Sequence, residues 1–267
     1  MNLPDVQNLK GNYNFPVKAG IKGIKMPIHV KTKAGDLIRT IADVDMQVRL
    51  DRQLKGINMS RLPIILSEMQ RNSWVLDNLR TLLSQTMDVM ESDAAYVNMR
   101  FPYFYDKRSP VSHFVGTAHC MSTFTGLMTS EQDSYRFVLG VDVPVMTLCP
   151  CSKEISRQSA HNQRATVSMQ IVYGTDFVWI EDLVAIAEES ASTGLYPILK
   201  RVDEKFVTES SYAKPRFVED VARIVANRLT LDGRVQQYHV VVTSEESIHQ
   251  HDAVAEVEGG LRDIWCL

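Results

Sequence analysis

Two cysteines flank a proline at residues 149–151, within the stretch "TLCPCSKEIS", and thiols at this close spacing could do chemistry. A pair at this spacing could form a disulfide, pack in a buried turn, bind a metal or supply a nucleophile. The chain has four cysteines in 267 residues and begins without an apolar signal segment, which predicts a cytoplasmic protein with reduced thiols. Metal binding and catalysis are therefore the main alternatives to a buried turn.

Further candidate residues follow Cys149 along the chain. His161 lies twelve positions later in "SAHNQRATVSM", and both residues fall where predicted strands end. The others lie in "KRVDEKFVTES" and "TSEESIHQHDA": Asp203, Glu204, Lys205, Glu245, Glu246, His249 and His251. In an extended chain the histidines at positions i and i+2 would share one face.

Thiol, imidazole and carboxylate together suit Zn²⁺, and imidazole with carboxylate suits Mn²⁺. The spacing matches no zinc finger, so a metal here would belong to a catalytic site gathered from several loops. Taken one at a time, the cysteine pair is better explained as a buried turn than as metal ligands, and His161 as a partly exposed histidine before a strand.

The charged residues near this region have two interpretations each. Lys153, Arg157 and Arg164 could bind an anionic group such as a phosphate chain, or form a solvated loop face. Glu219 could stabilise the start of a predicted helix, which the sequence alone favours. It could also accept two hydrogen bonds from an amidine-like edge such as guanine N1–H and its 2-amino group.

Hydrophobic periodicity predicts the elements that must position these residues. In the first half, residues 37–50 alternate as in a half-buried strand, and a short strand is expected at 57–62. Residues 63–90 repeat apolar side chains at helical spacing, as one long helix or two joined helices. Alternating segments at 94–105 and 111–128 complete the order β-β-α-β-β.

The second half repeats the pattern. Strands are predicted at 135–146 and 164–173, helices within 179–202 and 215–229, and strands at 235–243 and 253–257. The prediction is an α+β protein with two tandem units, each an antiparallel four-stranded sheet with helices on one face. The open edges of such sheets need a partner, so we expect an oligomer.

Charge and composition limit the remaining possibilities. Residues 1–33 carry six lysines and one acidic residue, which predicts an extended basic arm, followed by units at 34–131 and 132–267. The net charge of −3 gives no general affinity for nucleic acid or membrane surfaces. No apolar run approaches the roughly 18 residues of a membrane span. We therefore expect no nucleic-acid or membrane partner.

The motifs around the candidates are similar to those of a known family. "VPVMTLCPCSKEIS", "HNQRA", "ILKRVDEKFVTE", "KPRFVEDVAR" and "ESIHQHDA", with "KGINMSRL" in the first half, resemble the prokaryotic GTP cyclohydrolase I enzymes of type IB. The resemblance covers nearly the whole chain. It implies tandem tunnelling-fold (T-fold) units in a homotetramer, with the barrel closed by oligomerisation and active sites at subunit interfaces.

Positions carried over from the family give a set of implied roles. The resemblance implies a divalent metal, Zn²⁺ or Mn²⁺ with Fe²⁺ as a further alternative, bound by Cys149, His161 and Glu204. His249 would be a fourth ligand or a proton carrier. Cys149 and Cys151 would also be able to close a short disulfide that disables the metal site.

The substrate implied by the resemblance is GTP. Glu219 would be the guanine anchor, with Lys153 and Arg157 as further substrate-binding residues, while Glu246 and His251 would join the catalytic hairpin. The implied products are 7,8-dihydroneopterin triphosphate and formate, in the first step of folate and 7-deazaguanine tRNA-base biosynthesis.

Two alternative functions use the same residues. A nitrile reductase of the same fold would use Cys149 as a covalent nucleophile and NADPH as reductant, although its lysine-rich, phenylalanine-containing motif is absent from this sequence. A non-catalytic, metal-stabilised interaction protein would use the basic arm as its contact surface. Formate release from GTP that a chelator abolishes would separate the cyclohydrolase from both.

Overall fold

The computed structural model describes residues 9–11, 13–70, 76–131 and 134–260. In these residues no helix is both long enough and apolar enough to cross a membrane. Three of the four cysteines lie in the described ranges and are free thiols: Cys120, Cys149 and Cys151. Cys266 and the first eight residues of the predicted basic arm lie outside them.

The chain forms two compact units that are not contiguous in sequence. Unit 1 comprises Met1–Phe101 and Thr123–Val138, and unit 2 comprises Pro102–Ser122 and Leu139–Leu267. Three long strands contribute residues to both: β3 (Ala94–Arg108), β4 (Val115–Thr129) and β5 (Ser134–Leu148). The predicted segments 34–131 and 132–267 describe a repeat in the sequence, and as domain boundaries they stay a prediction.

Unit 1 has the strand order β1-β2-β3-β4-β5 and two helices. Its remaining elements are β1 (Val17–Lys31), β2 (Leu37–Leu50), α1 (Arg61–Gln70), a 3₁₀ turn at Leu76–Asn78, and α2 (Leu79–Met90). In β2 every second side chain is buried from Thr40 to Leu50, so the predicted strand at 37–50 is confirmed. The helical stretch 63–90 is two helices, with residues 71–75 outside the described ranges.

Most of the second half of the predicted N-terminal arm, residues 1–33, forms strand β1, which is the partner of β2. β1 pairs with β2 in antiparallel register, with Val17 opposite Leu50 and a bulge between Ile21 and Ile24. Gly23 allows the bulge because it has a φ of +76°. Among the described residues β1 has a strand neighbour on one side only, and its lysines and Pro27 are typical of such edge strands. The strand predicted at 57–62 is wrong, because α1 begins at Arg61.

Unit 2 has the strand order β3-β4-β5-β6-β8-β9, with the short β7 paired to β5. Its further elements are α3 (Pro150–Ile155), β6 (Asn162–Tyr173), α4 (Ile180–Ser190), β7 (Thr193–Gly194), α5 (Arg201–Ala213), α6 (Val218–Leu231), β8 (Val235–Ser244) and β9 (Ala253–Gly260). α6 packs against β8 and β9, and Val240 and Val242 of β8 are fully buried. The predicted strands of this half are all confirmed, with bounds shifted by a few residues.

The helical region between β6 and β8 differs from its prediction. Residues 179–202 do not form one helix, because α4 ends at Ser190 and the chain runs extended through Gly194 and Pro197. Glycine and proline are both unfavourable inside a helix, so no helix continues through this segment. The helices predicted within 179–202 and 215–229 leave residues 203–214 as a connection between them, and this is wrong, since the segment "KRVDEKFVTES" forms most of α5. The correction matters for Glu204, which lies in the first turn of that helix.

Candidate active site at the strand ends of unit 2

Three neighbouring strands end at one edge of the unit 2 sheet. β5 and β6 pair with Leu148 opposite Asn162, and β6 and β8 pair with Ala165 opposite Ser244. The carboxyl ends of β5 and β8 therefore meet the amino end of β6. Alternation along the strands then directs Cys149, His161 and Glu246 toward the same face as the buried core residues.

Cys149 begins a short helix at this edge. It is the N-cap of α3, with Pro150 at the first helical position, and its Sγ accepts a hydrogen bond from the Ser152 N–H at 3.4 Å. Its own N–H donates to the His161 carbonyl at 3.1 Å, and the His161 N–H donates to Ser152 Oγ at 3.1 Å. These hydrogen bonds hold the backbone segment that carries the thiol next to the one that carries the imidazole.

The side chain of His161 joins a polar network. Its Nδ1 lies 2.9 Å from Gln163 Oε1, and Gln163 Nε2 lies 3.1 Å from Glu246 Oε1. The same Nε2 is 3.4 Å from Thr147 Oγ1, which in turn lies 3.2 Å from Ser244 Oγ. Thr147, Gln163 and Ser244 are buried, so this network is a polar layer at the end of an otherwise apolar core.

The three described thiols have different surroundings. Cys149 is partly buried, and Cys151 is exposed on α3. Cys120 is buried in β4, and burial raises the pKa of its thiol to about 12. Cys120 is therefore an inert core residue, and the accessible thiols are those of the predicted motif.

Glu204 is presented by the first turn of α5, next to a buried aspartate. Asp203 accepts hydrogen bonds from the backbone N–H groups of Lys200, Val111 and Ser112 and from the Ser112 hydroxyl. Burial alone would raise its pKa, but these hydrogen bonds outweigh it and hold the pKa well below the usual range. Asp203 caps the helix, which leaves the exposed Glu204 carboxylate for other partners.

The same division of roles occurs at α6. Asp220 accepts a hydrogen bond from the N–H of Phe217 at 3.1 Å and so caps the helix. Glu219 lies exposed in the same first turn and makes no hydrogen bond or ion pair with another described residue. The helix-cap interpretation of Glu219, which the sequence favoured, therefore fits Asp220 better.

The hairpin loop between β8 and β9 holds the remaining candidates. Glu246 is 14% exposed, and its Oε2 lies 4.0 Å from His161 Nδ1. His249 and His251 are exposed and stack on each other, with ring centroids 5.1 Å apart. The loop turns here and does not run extended, so a shared face of His249 and His251 toward one pocket stays a prediction. Of these three residues, the structure brings Glu246 into contact with the network around His161.

The predicted basic cluster is dispersed. Lys153 Nζ donates to the Tyr212 carbonyl and lies 4.3 Å from the centroid of the Tyr212 ring. Its ammonium group is therefore bound to a residue of α5. Arg157 is exposed in the loop after α3. Arg164 alternates with Gln163 along β6 and therefore lies on the opposite face of the sheet. A joint phosphate site for these three side chains is not formed in this chain.

The fit of a metal to the predicted ligands depends on their donor types. Within the described ranges, one group of three His, Cys, Asp or Glu side chains has its ligand atoms within 4.8 Å of one another: His239, Glu256 and Glu258. The predicted set of Cys149, His161, Glu204 and His249 forms no such group in the single chain. Its thiol, imidazoles and carboxylate are nevertheless the ligands zinc prefers, and hydrogen bonds tie Cys149 to His161.

Sequence reasoning missed the residues that hold the candidates in place. Gln163 was not predicted to have a role, although its spacing of two residues from both His161 and Ala165 would have placed it on the core face. Asp203 was not distinguished from Glu204, because the helix start at Arg201 was not predicted. Ser152 and Thr147 make hydrogen bonds to His161 and Gln163 on a neighbouring segment of the chain, and a single sequence does not show such contacts.

Comparison with solved structures shows the class of fold. The chain is similar to uricase from Arthrobacter globiformis, with a TM-score of 0.58 and 10% identity over 93% of this chain and 94% of that one. A uricase from Bacillus fastidious gives a TM-score of 0.54 at 8% identity, covering 91% and 92% of the two chains. These likenesses establish an α+β fold built on a large antiparallel sheet.

Sequence comparison identifies the family. The profile of the family described as "Type I GTP cyclohydrolase folE2" matches residues 3–255. GTP cyclohydrolase FolE2 of Geobacter metallireducens is 41% identical over 257 residues, 96% of this chain and 97% of the relative. That of Pelobacter propionicus is 43% identical over 257 residues, 96% and 98% of the two chains. The chain belongs to the type I GTP cyclohydrolase FolE2 family of enzymes, as the resemblance predicted.

Proposed function

We propose that this GTP cyclohydrolase converts GTP and water to 7,8-dihydroneopterin triphosphate and formate in a metal-dependent reaction that begins folate biosynthesis. The family match over residues 3–255 carries the proposal. The juxtaposition of Cys149, His161 and Glu246 at one sheet edge supports it, because ring opening needs a nucleophile and a proton donor close together. Supply of 7-deazaguanine tRNA-base synthesis is a second use of the same product.

The reaction removes C8 of the purine. Water adds to C8 and the imidazole ring opens, a second water releases C8 as formate, and the freed amine closes onto the rearranged ribose with loss of water. The net change is one water consumed for each GTP. The protein must therefore hold the guanine ring, deliver protons to the ring nitrogens and keep the triphosphate in place.

Glu219 is the proposed guanine anchor. Its carboxylate is exposed in the first turn of α6 and is not used for capping, which Asp220 performs. Two carboxylate oxygens can accept the parallel hydrogen bonds of guanine N1–H and the 2-amino group. Lys153 and Arg157 remain proposed contacts for the triphosphate, and Lys153 would have to leave Tyr212 to reach it.

Cys149, His161 and Glu204 are the residues that would hold the metal, with His249 as a fourth ligand or proton carrier. A divalent ion at this position supplies a Lewis acid that lowers the pKa of water toward about 7. Zn²⁺ suits the thiolate and imidazole donors best, with Mn²⁺ and Fe²⁺ as alternatives. Glu246 and the stacked His249 and His251 lie in one hairpin, from which protons can be delivered to the leaving ring nitrogen.

Oligomerisation completes the proposal. In unit 1 β1 is the first strand of the sheet, and in unit 2 β9 is the last, so each unit has an edge that no other strand of the described ranges pairs with. A homotetramer would pair such edges into a closed barrel and place the active sites at subunit interfaces. The cytoplasmic location also stays a prediction.

A turnover assay tests this function. Purified protein incubated with GTP should release one formate for each dihydroneopterin triphosphate formed, and a chelator should stop both. Adding back Zn²⁺ or Mn²⁺ should restore turnover, and metal analysis should show one ion per chain. Formate release that persists in full after the metal is removed would refute the metal-dependent mechanism, and NADPH-dependent nitrile reduction without formate release would favour the reductase.

A further inference from the structure

Gln163 connects two residues to which the mechanism assigns different tasks. Its amide lies between the imidazole of His161, at 2.9 Å, and the carboxylate of Glu246, at 3.1 Å. We propose that Gln163 is a positioning residue that sets the tautomer of His161, with the proton on Nδ1 and the lone pair on Nε2, and so prepares this imidazole to bind a metal. This inference rests on the proposed metal site.

The direction of the amide follows from its partners. A carboxylate such as that of Glu246 accepts hydrogen bonds and has no donor, so the group of Gln163 that faces it must be the NH₂. The second hydrogen of this NH₂ points to Thr147 Oγ1 at 3.4 Å. Both N–H donors of the amide are thereby used, and the amide oxygen faces His161. The assignment comes from the whole network of hydrogen bonds.

The tautomer of His161 follows from the direction of the amide. An amide oxygen can only accept, so the Nδ1 atom 2.9 Å away must carry the proton and donate it. In a neutral imidazole the other nitrogen, Nε2, then has the lone pair. Only an unprotonated nitrogen can bind a metal, so the network exposes one defined ligand atom.

The network is held from several sides. Gln163 is 8% exposed and lies on β6 directly opposite Thr147 on β5. The backbone of His161 is fixed through its N–H, which donates to Ser152 Oγ, and through its carbonyl, which accepts from Cys149. The imidazole therefore has little freedom to turn, and the amide keeps Glu246 at 4.0 Å from Nδ1.

The amide also separates the tasks of the two residues. If Glu246 bonded directly to His161, its carboxylate would be occupied in orienting a ligand. With Gln163 between them, Glu246 accepts one hydrogen bond at Oε1 and keeps its second oxygen for substrate or water. A carboxylate in the predicted catalytic hairpin thus remains available for proton transfer.

The test begins with the tautomer in metal-free protein. Long-range ¹H–¹⁵N correlation spectra of ¹⁵N-histidine-labelled full-length protein distinguish protonated Nδ1 from protonated Nε2, and the His161→Gln variant assigns the signal. We expect Nδ1–H in the wild type and a shift toward Nε2–H in Gln163→Met, which keeps the side-chain length without hydrogen bonds.

Metal affinity provides the second readout. Competition with a chromophoric chelator should show that Gln163→Met binds Zn²⁺ about 10- to 100-fold more weakly, the usual effect of losing a residue that orients a histidine ligand. The matched control is Thr147→Val, which removes one partner of the amide but not its bond to His161, and it should change neither readout. Thermal unfolding monitors whether each variant folds.

The outcomes separate this inference from the proposed function. A wild-type His161 protonated at Nε2, or a Gln163→Met variant with unchanged tautomer or unchanged Zn²⁺ affinity, would overturn the role of Gln163 while leaving the metal site intact. A wild-type protein that binds none of Zn²⁺, Mn²⁺ and Fe²⁺ would overturn the metal site, and the tautomer measurement would still decide whether Gln163 orients the imidazole.

Discussion

Replacing Glu219 by Gln separates the proposed guanine binding from helix stability, because the capping hydrogen bond of α6 is made by Asp220. Asp220 accepts the capping hydrogen bond from Phe217, and Glu219 makes none with another described residue. The loss of stability in Glu219→Gln is then limited to the interaction of one charge with the helix dipole, about 0.3 to 1 kcal/mol. That corresponds to a fall in Tm of less than about 4 °C.

The expected effect on turnover is much larger. If Glu219 anchors guanine, the substitution replaces one acceptor oxygen by an NH₂ group that faces a donor of the base. A mismatched polar pair in a desolvated pocket costs about 1 to 3 kcal/mol, which is about 5- to 150-fold in kcat/KM. The metal content should stay at the wild-type level, because Glu219 is not among the proposed ligands.

Asp220→Ala is the matched control. It removes the cap of α6 and should cost about 0.5 to 2 kcal/mol of stability, while leaving the carboxylate of Glu219 in place. The assay measures formate release against GTP concentration, together with the thermal unfolding of both variants. Wild-type kcat/KM in Glu219→Gln, or an equal kinetic loss in Asp220→Ala, would refute the guanine anchor.

Three other outcomes follow from the site and the fold. Cys149→Ala should abolish turnover and lower metal content while Cys151→Ala is milder, and a Cys149→Ala protein with full metal occupancy would contradict the ligand assignment. Sedimentation should show a tetramer, and a fully active monomer at micromolar concentration would exclude an interfacial active site. The pKa of Asp203 is lowered in the folded state, so its contribution to stability is complete above the unfolded value of about 3.9 and is lost as pH falls below that value toward the lower folded pKa. The deficit of Asp203→Asn in urea denaturation should therefore be full at pH 7 and shrink below about pH 4, whereas a deficit independent of pH would mean that the charge is not involved.

Strands with one buried face were predictable, because their alternation is a local property of the sequence. β2 and the strands of the second half are examples. β1 was missed, since its lysines and glycines resemble those of a mobile arm and its pairing with β2 is a contact between segments. The break between α4 and α5 was missed because the apolar spacing continues across Gly194 and Pro197.

For the candidate site, the sequence located the reactive groups better than their surroundings. Cys149 and His161 were recognisable from residue type, and the structure ties them together. The role of Asp203 as the cap and of Gln163 as the bridge depends on which backbone N–H groups and side chains lie nearby. Glu219 shows the same limit, since only the bond between Asp220 and Phe217 assigns the cap to its neighbour.

The sharing of β3, β4 and β5 by both units has a consequence for cutting the chain. A fragment of residues 132–267 contains every candidate ligand but lacks Pro102–Ser122, which belong to the same unit. It would lose the bonds of Tyr103 to Glu181 and of Ser112 to Asp203, and with the latter part of the support of the helix that presents Glu204. Such a fragment would leave polar groups of its core without hydrogen-bond partners. The half that carries the site should therefore not fold when it is expressed alone. A chimaera that joins parts of two relatives should fold only if each of these long strands comes from the same relative as the strand with which it forms a hairpin.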